Sequence, residues 1–215
     1  YAGMIIPMMT TILLTVGFLA SDFSRKVQNA VKFALYIPTL AAGVIIANVW
    51  KWIYAKDGLA NWLAGLVGLG PLPWLTDAML AKFGVSLMFV LTILGGFLII
   101  MLASIISVPR QLIEAARIDG ASGWQVKTRI ILPIIAPTIL LIVMLLTISS
   151  MQIWEFIYQL TSGGPAGGTA TPVYDLYDTA FVYGKYGLAS AKAVVIMLVV
   201  LAMVAVQKRI EGLGK

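Results

Sequence analysis

The residues best suited to chemistry are polar side chains inside one of the most apolar stretches of the chain. Ser149, Ser150 and Gln152 lie within residues 138–160, and Glu155 follows them. Polar groups are unfavourable next to lipid, so within a membrane segment they mark functional positions by default. Hydroxyl and amide groups both donate and accept hydrogen bonds, which suits a ligand rich in hydroxyl groups.

Glu155 is the only acidic residue inside any of the long apolar stretches. Three interpretations stay open for it: an interfacial carboxylate hydrogen-bonded to the outer loop, a direct solute contact, or a proton-coupling group. A second apolar stretch, residues 84–106, contains Thr92 and the adjacent glycines Gly95 and Gly96. Small residues leave room for either a neighbouring helix or a ligand, and both remain possible at the two glycines.

Several kinds of catalysis are excluded by the residue inventory. The chain has no Cys and no His, which removes thiol chemistry, imidazole catalysis and the usual zinc sites. The phosphate-binding pattern G-x-x-x-x-G-K-[ST] is also absent, because Gly184 and Lys185 are followed by Tyr186 and lack the upstream glycine. We therefore expect no enzymatic reaction, no bound metal and no cofactor within this polypeptide.

The elements that carry these residues are predicted to be membrane-spanning helices. The chain of 215 residues is 60% hydrophobic and only 11% charged, against about 25% charged for a soluble domain. A helix needs about 20 apolar residues to cross the hydrocarbon core. Five stretches meet this requirement, so we predict an all-α, polytopic membrane protein with one transmembrane domain over residues 1–215 and spans at 2–19, 33–53, 84–106, 138–160 and 189–206.

The orientation follows from the basic residues, which give the chain a net charge of +6. Ten of the 15 Lys and Arg residues fall on the side that holds the connection after the first span, and five fall on the other. The positive-inside rule places the richer side in the cytoplasm. Residues 107–137 are then cytoplasmic and residues 161–188 external. An odd number of spans that starts outside predicts a further span upstream of Tyr1.

The cytoplasmic segment 107–137 is unusually polar for this chain. Pro109 ends the third span, and helix-forming residues follow from Arg110, with Glu114 near the first turn and Gly120 at the end. An acidic residue early in a helix and a glycine just past its end are favourable positions. We predict a short helix, a glycine turn and a second short helix lying against the membrane.

The same segment reads "EAARIDGASGWQVKTRIILPIIAP" and resembles the EAA loop of ABC-importer permeases. Four other stretches resemble the carbohydrate permeases of the maltose and glycerol-phosphate type, in the same order: "YIPTLAAGVIIANVWKWIYAKDGLANWL", "GPLPWL", "SIISVPRQLIEAA" and "YQLTSGGPAGGT". The resemblance covers nearly the whole chain and implies a type I ABC importer permease in the bacterial inner membrane. These permeases usually have at least one more N-terminal helix, so six or more helices are expected in the full gene product.

The resemblance implies that the EAA loop docks on a separate cytoplasmic ATPase, which binds the ATP and Mg²⁺. Glu114, Ala115 and Ala116 would lie on the docking helix, and Asp119, Gly120 and Ala121 would form its turn. The other implied partners are a second permease subunit, a second ATPase copy and an extracytoplasmic solute-binding protein. The implied solute pathway comprises Thr92, Gly96, Ser149, Ser150, Gln152 and, less directly, Glu155.

Two other functions compete with this one. An ion-gradient-driven transporter or channel would be expected to carry more charge within its spans and no docking loop. A membrane-embedded enzyme would need reactive groups that the chain lacks. The solute is not fixed by the residues, but no Arg or Lys lies centrally in a span, which favours a neutral sugar over a phosphorylated one.

Overall fold

A computed structural model describes residues 1–213, with the side chains of residues 1–209. The described part of the chain consists of helices and connecting loops, with no strand. Four helices are long and apolar enough to cross a membrane. They are α1 (Ala2–Ser21), α5 (Ala78–Ile106), the continuous helix Gly123–Met151, and α11 (Tyr186–Leu213).

The second predicted span, 33–53, is wrong as a single helix. Two helices, α2 (Arg25–Leu40) and α3 (Gly43–Ile53), meet there at an angle of 101° and count as a fifth span only when taken together. Pro38 lies in the last turn of α2, where it lacks the N–H that would bond to the Ala34 carbonyl, and Ala41 and Ala42 are extended. The Thr39 hydroxyl donates to the carbonyl of Thr92 at 2.7 Å and fixes this end of α2 against α5.

The fourth predicted span, 138–160, is displaced and interrupted in the structure. The helix begins at Gly123 as α7 (Gly123–Val126), continues through a π-helical turn (Lys127–Ile131) and becomes α8 (Leu132–Met151). Residues 152–154 interrupt it before α9 (Glu155–Leu160). The predicted second cytoplasmic helix is therefore the start of this span. Pro133 explains the wide turn, because its ring would clash with the carbonyl of Arg129 in a regular α-helix.

The core lies mainly between α1, α5 and α8. Ile5, Met9 and Leu13 recur every four residues along α1 and are fully buried, with the buried methionines and leucines of α5 completing the core: Met88, Leu98, Met101 and Leu102. Gly95 allows α2 to approach α5 closely, since a Cβ there would lie 2.3 Å from the carbonyl oxygen of Leu35. By contrast α11 exposes most of its apolar side chains.

Two connections lie at the opposite end of the bundle from residues 107–122. Between α3 and α5, the helix α4 (Leu59–Leu66) and a proline-rich turn are held by Asn61. Its side-chain oxygen accepts from the Leu72 backbone N–H at 2.7 Å and from Trp74 Nε1 at 3.0 Å. In the second connection an irregular loop covers residues 161–171, and a helix (α10, Pro172–Tyr177) and a π-helical turn (Asp178–Val182) follow.

Candidate functional site: an exposed helix and a broken span

The short helix and the glycine turn of the predicted cytoplasmic segment lie where the sequence predicts them. Helix α6 (Arg110–Ile118) ends at Asp119, and Gly120 follows with φ +82°. The Gly120 N–H donates to the carbonyl of Arg117 at 3.1 Å, and the Ala121 N–H donates to that of Ala116 at 2.9 Å. This is the Schellman arrangement, which needs a residue with positive φ after the helix. Ala116 and Ala121 pack towards the core and stabilise the turn.

The start of the next helix is fixed by a capping box that the sequence reading missed. Ser122 accepts from the Gln125 N–H at 3.3 Å, while the Gln125 side chain accepts from the Ser122 N–H at 2.7 Å. The signal was readable as serine followed three residues later by glutamine. Hydrogen bonds therefore fix the backbone on both sides of Ala121.

The outer surface of α6 is open. Within the described part of the chain, α6 contributes no buried residue. Leu112 and Ile118 expose 47% and 87% of their surface, and Trp124 at the start of the next helix exposes 70%. Glu114, Ala115 and Asp119 are exposed beside them. Large apolar side chains grouped on a polar surface mark an interaction site.

A lysine connects this segment to the first span. Lys127 Nζ donates to the carbonyl of Phe18 at 3.0 Å and forms an ion pair with Asp22. The Asp22 side chain is 60% exposed, so the ion pair itself contributes little stability. Instead, these contacts hold the end of α1 and the start of the fourth span together on the predicted cytoplasmic side.

The break in the fourth span is held by the external connection. The hydroxyl of Thr171 donates to the carbonyl of Ile153 at 2.5 Å, which satisfies a group freed by the break. Trp154 stacks on Tyr177, with ring centroids 4.5 Å apart. The exposed Gln152 lines, with Trp154 and side chains of α10 and α11, a cavity of about 480 Å³.

The loop 161–171 is folded tightly around Thr169. Its hydroxyl contacts that of Thr161 at 2.7 Å, and its carbonyl accepts from the phenol of Tyr1 at 3.0 Å. The ring of Tyr174 packs on Gly163, where φ is +80° and a Cβ would lie 2.8 Å from the ring. Burial, together with the neighbouring Asp178, raises the pKa of Tyr174 to about 12, so this phenol stays neutral.

Glu155, the first residue of α9, also lies against the break between α2 and α3. A Cβ on Gly43 would lie 2.6 Å from the Glu155 carboxyl carbon, so the carboxylate fills the space beside the first residue of α3. The positive end of a helix dipole stabilises a carboxylate there. This position favours a structural role over a proton-coupling role, and a direct solute contact stays a prediction.

The other predicted pathway residues fall on two helices. On α5, Thr92 is buried and its hydroxyl donates to the Met88 carbonyl at 2.7 Å, whereas a Cβ on Gly96 would have only the ring of Tyr36 nearby, at 4.0 Å. At the end of α8, Ser149 is half-buried, and buried Ser150 donates to the carbonyl of Thr147 at 2.8 Å. Ser149, Ser150 and Gln152 are thus brought together next to the break, and Gly95 serves helix packing.

Sequence reasoning missed one polar contact between spans. Gln207 on α11 donates to the hydroxyl of Thr147 on α8 at 2.8 Å, and the Gln207 side-chain oxygen is buried without a partner among the described residues. The predicted fifth span stopped at residue 206, so Gln207 was not weighed as an intramembrane residue. The signal for this contact was a polar residue directly after the predicted span, in a helix that continues to Leu213.

The described chain is a bundle of apolar helices, with the exposed helix α6 between the third and fourth spans. Residues 4–212 match the family model described as binding-protein-dependent transport system inner membrane component, and the chain belongs to that family. It is an inner-membrane protein, and the expected all-helical permease fold is confirmed.

The resemblance to carbohydrate-type permeases is also confirmed by named relatives. The chain is 30% identical over 186 residues to the trehalose/maltose transport system permease protein MalF of Thermococcus litoralis, covering 86% of this chain and 63% of the relative. It is 26% identical over 201 residues to the lactose transport system permease protein LacF of Rhizobium radiobacter, covering 91% and 67%. The chain thus spans under two thirds of the length of the first of these relatives.

A solved structure gives the same result for the fold. A chain of the bacterial alginate ABC transporter, crystallised in complex with its alginate pentasaccharide-bound periplasmic protein, matches with a TM-score of 0.83 at 25% identity. The match covers 96% of this chain and 73% of that one. The overall arrangement of the helices therefore matches that of a transporter chain of known structure.

Proposed function

We propose that this chain forms part of the translocation pathway of an ATP-driven importer for a carbohydrate-like solute. In this proposal a second permease subunit completes the pathway, and an extracytoplasmic binding protein delivers the solute. The names of the relatives support a sugar as the solute, since they refer to trehalose, maltose and lactose. An ion-gradient mechanism gains no support, because Glu155, the one acidic residue within the five predicted spans, lies against Gly43.

One observation carries the coupling to an ATPase: the open apolar surface of α6. Leu112 and Ile118 project from a helix that buries none of its described residues, and Glu114 and Asp119 surround them with negative charge. A rigid helix closed by a Schellman turn fits a cleft on another protein. We infer that Glu114, Ala115 and Asp119 contact the ATPase, while Ala116, Gly120 and Ala121 hold the turn.

The nucleotide chemistry is assigned to the partner. The chain lacks the phosphate-binding pattern, so ATP and Mg²⁺ would be bound by two copies of a separate ATPase. Movement of those subunits would reach the spans through α6 and the helix that starts at Gly123. Residues 107–137 are thus the proposed coupling segment, and residues 161–188 the proposed external one.

The proposed solute site lies at the break in the fourth span. Ser149 and Gln152 present hydroxyl and amide groups that a neutral sugar can bind, and Gly96 leaves space on α5. Thr92 and Ser150 are buried with their hydroxyl protons donated to their own helices, so they would act as acceptors only. Gln152→Ala is expected to raise the KM for uptake while leaving ATPase binding intact.

The test is copurification of the ATPase with the assembled transporter. Ile118→Lys and Glu114→Lys should each weaken ATPase binding at least tenfold, as expected for central interface residues, and should reduce solute uptake. Val27→Lys is the control, because Val27 is an exposed apolar residue at the same end of the bundle on α2. Transporters with Ile118→Lys that retain the ATPase and normal uptake would refute the docking surface.

A further inference from the structure

A cavity of about 490 Å³ lies behind α6, on the side away from Leu112 and Ile118. Its walls come from the end of α1, the start of α2, the end of α5, α6 and the start of the fourth span. Four basic side chains line it: Arg25, Arg110, Arg117 and Lys127. This concentration of positive charge has no role in the proposed solute pathway or in the docking surface.

Most of that charge is not neutralised by the chain itself. Asp22 is the one acidic residue in the cavity wall, and it pairs with Lys127. Arg25, Arg110 and Arg117 are exposed, and within residues 1–209 none of them has a carboxylate oxygen within 4.0 Å. Three arginines therefore face the same space and repel one another unless an anion lies between them.

The backbone adds to the positive potential. Helices α2 and α6 both begin at the cavity wall, and neither N-cap residue, Ser24 or Pro109, makes a side-chain cap hydrogen bond. Uncapped N–H groups at a helix start carry partial positive charge and bind anions. Gln28, which is buried, lines the same space with its amide fixed by the Phe23 carbonyl at 3.0 Å.

One flank of the cavity is apolar. Ile105, Ile106 and Ile113 line it, and Ile106 and Phe23 each expose more than half of their surface. A cavity that is basic on one side and apolar on the other, at the predicted cytoplasmic ends of membrane helices, suits a phospholipid headgroup with its glycerol and first methylene groups. A free phosphate would use the basic side alone.

We propose that this cavity is a phosphate-binding site, formed by Arg25, Arg110 and Arg117, that holds α6 against the ends of the membrane helices. Arg110, Ile113 and Arg117 recur on one face of α6 and line the cavity, whereas Ile118 does not. A bound phosphate bridges this face to Arg25 on α2. It thereby replaces repulsion between the two helices with attraction and sets the position of the docking helix.

The experiment measures binding to the purified transporter by native mass spectrometry. Phosphatidylglycerol, phosphatidylcholine and inorganic phosphate are titrated separately, so that a lipid source and a soluble source are distinguished. Wild type should retain phosphatidylglycerol over phosphatidylcholine. Arg25→Gln should bind it about fivefold more weakly, and the triple variant with Arg110→Gln and Arg117→Gln on the order of a hundredfold, since each basic residue near an anionic headgroup contributes about that factor.

The matched controls remove the same charge from the same end of the bundle. Lys26→Gln is compared with Arg25→Gln, and Lys26→Gln/Lys32→Gln/Arg129→Gln with the arginine triple, because none of these three residues lines the cavity. Arg25→Lys should retain most of the binding. Inorganic phosphate that binds wild type and competes with the lipid would identify a soluble source for the same site. Equal losses in both triples, or no anion binding to wild type, would overturn the proposal.

Discussion

The carboxylate of Glu155 lies against Gly43, at the junction of the two broken spans. A Cβ on Gly43 would lie 2.6 Å from the carboxyl carbon, so the acid fits only because residue 43 has no side chain. The break after α2 and the break before α9 therefore meet at one contact. The two residues lie more than a hundred positions apart in the sequence.

Gly43→Ala should destabilise the protein by about 1 kcal/mol, because the new methyl group displaces Glu155 from the positive end of α3. In a Glu155→Ala background the same substitution should be neutral or slightly stabilising, since alanine is the better helix former. Thermal unfolding of the four proteins gives the coupling energy. Gly3→Ala is the control, with no atom within 4 Å of its Cβ. Additive effects of the two substitutions would contradict the contact.

Substitution by alanine should have different effects at the adjacent glycines Gly95 and Gly96 of α5. In Gly95→Ala the Cβ would lie 2.3 Å from the carbonyl oxygen of Leu35, and backbone cannot move aside as a flexible side chain can. We expect a loss of roughly 1–3 kcal/mol or failure to assemble. Gly96→Ala should fold normally, since its nearest neighbour would be 4.0 Å away. Equal expression and melting behaviour of the two variants would show that α2 does not cross α5 here.

Asn61 should be the most sensitive polar residue of the external connection. Asn61→Leu leaves the Leu72 N–H and the Trp74 indole N–H without their acceptor, which we expect to cost on the order of 3 kcal/mol. Asn48→Leu is the matched control, because Asn48 is exposed and bonds only to its own helix. Its effect should stay below about 1 kcal/mol. Urea or thermal melts of both proteins in detergent make the comparison.

Substitutions at Gln207 and Thr147 should have opposite effects on the stability of the protein. Gln207→Leu removes a buried oxygen that has no partner, and Thr147 keeps its hydrogen bond to the carbonyl of Val143, so stability should be unchanged or raised. Thr147→Val leaves the Gln207 amide unpaired and should destabilise by about 1–2 kcal/mol. A large loss in Gln207→Leu would instead indicate that the amide binds something within the assembled transporter.

The sequence predicted the helical class and the number of hydrophobic segments, because the length of each apolar run shows whether a helix formed by it could cross the membrane. It did not predict the two breaks, since neither is encoded by hydropathy. Thr39 fixes the end of α2 through the carbonyl of Thr92, and Thr171 satisfies the carbonyl of Ile153. Both are contacts between residues far apart in the chain, and a local pattern contains no information about them.

The candidate sites were predictable to different degrees. The turn at Gly120 was predicted correctly because glycine after a helix is a local signal. The basic cavity was not, because Arg25 and Arg117 become neighbours only when α2 and α6 fold together. The grouping of Ser149, Ser150 and Gln152 also depends on where α8 ends, and the composition of residues 138–160 does not specify that point.

The fourth span is one continuous helix from Gly123 to Met151, with a π-helical turn near its start. Its 29 residues, at 1.5 Å each, extend about 44 Å. One end adjoins the capping box at Ser122 and the other ends at Gln152. Under the proposed coupling, a displacement of the helix at Gly123 would reach the amide of Gln152 along one continuous helix.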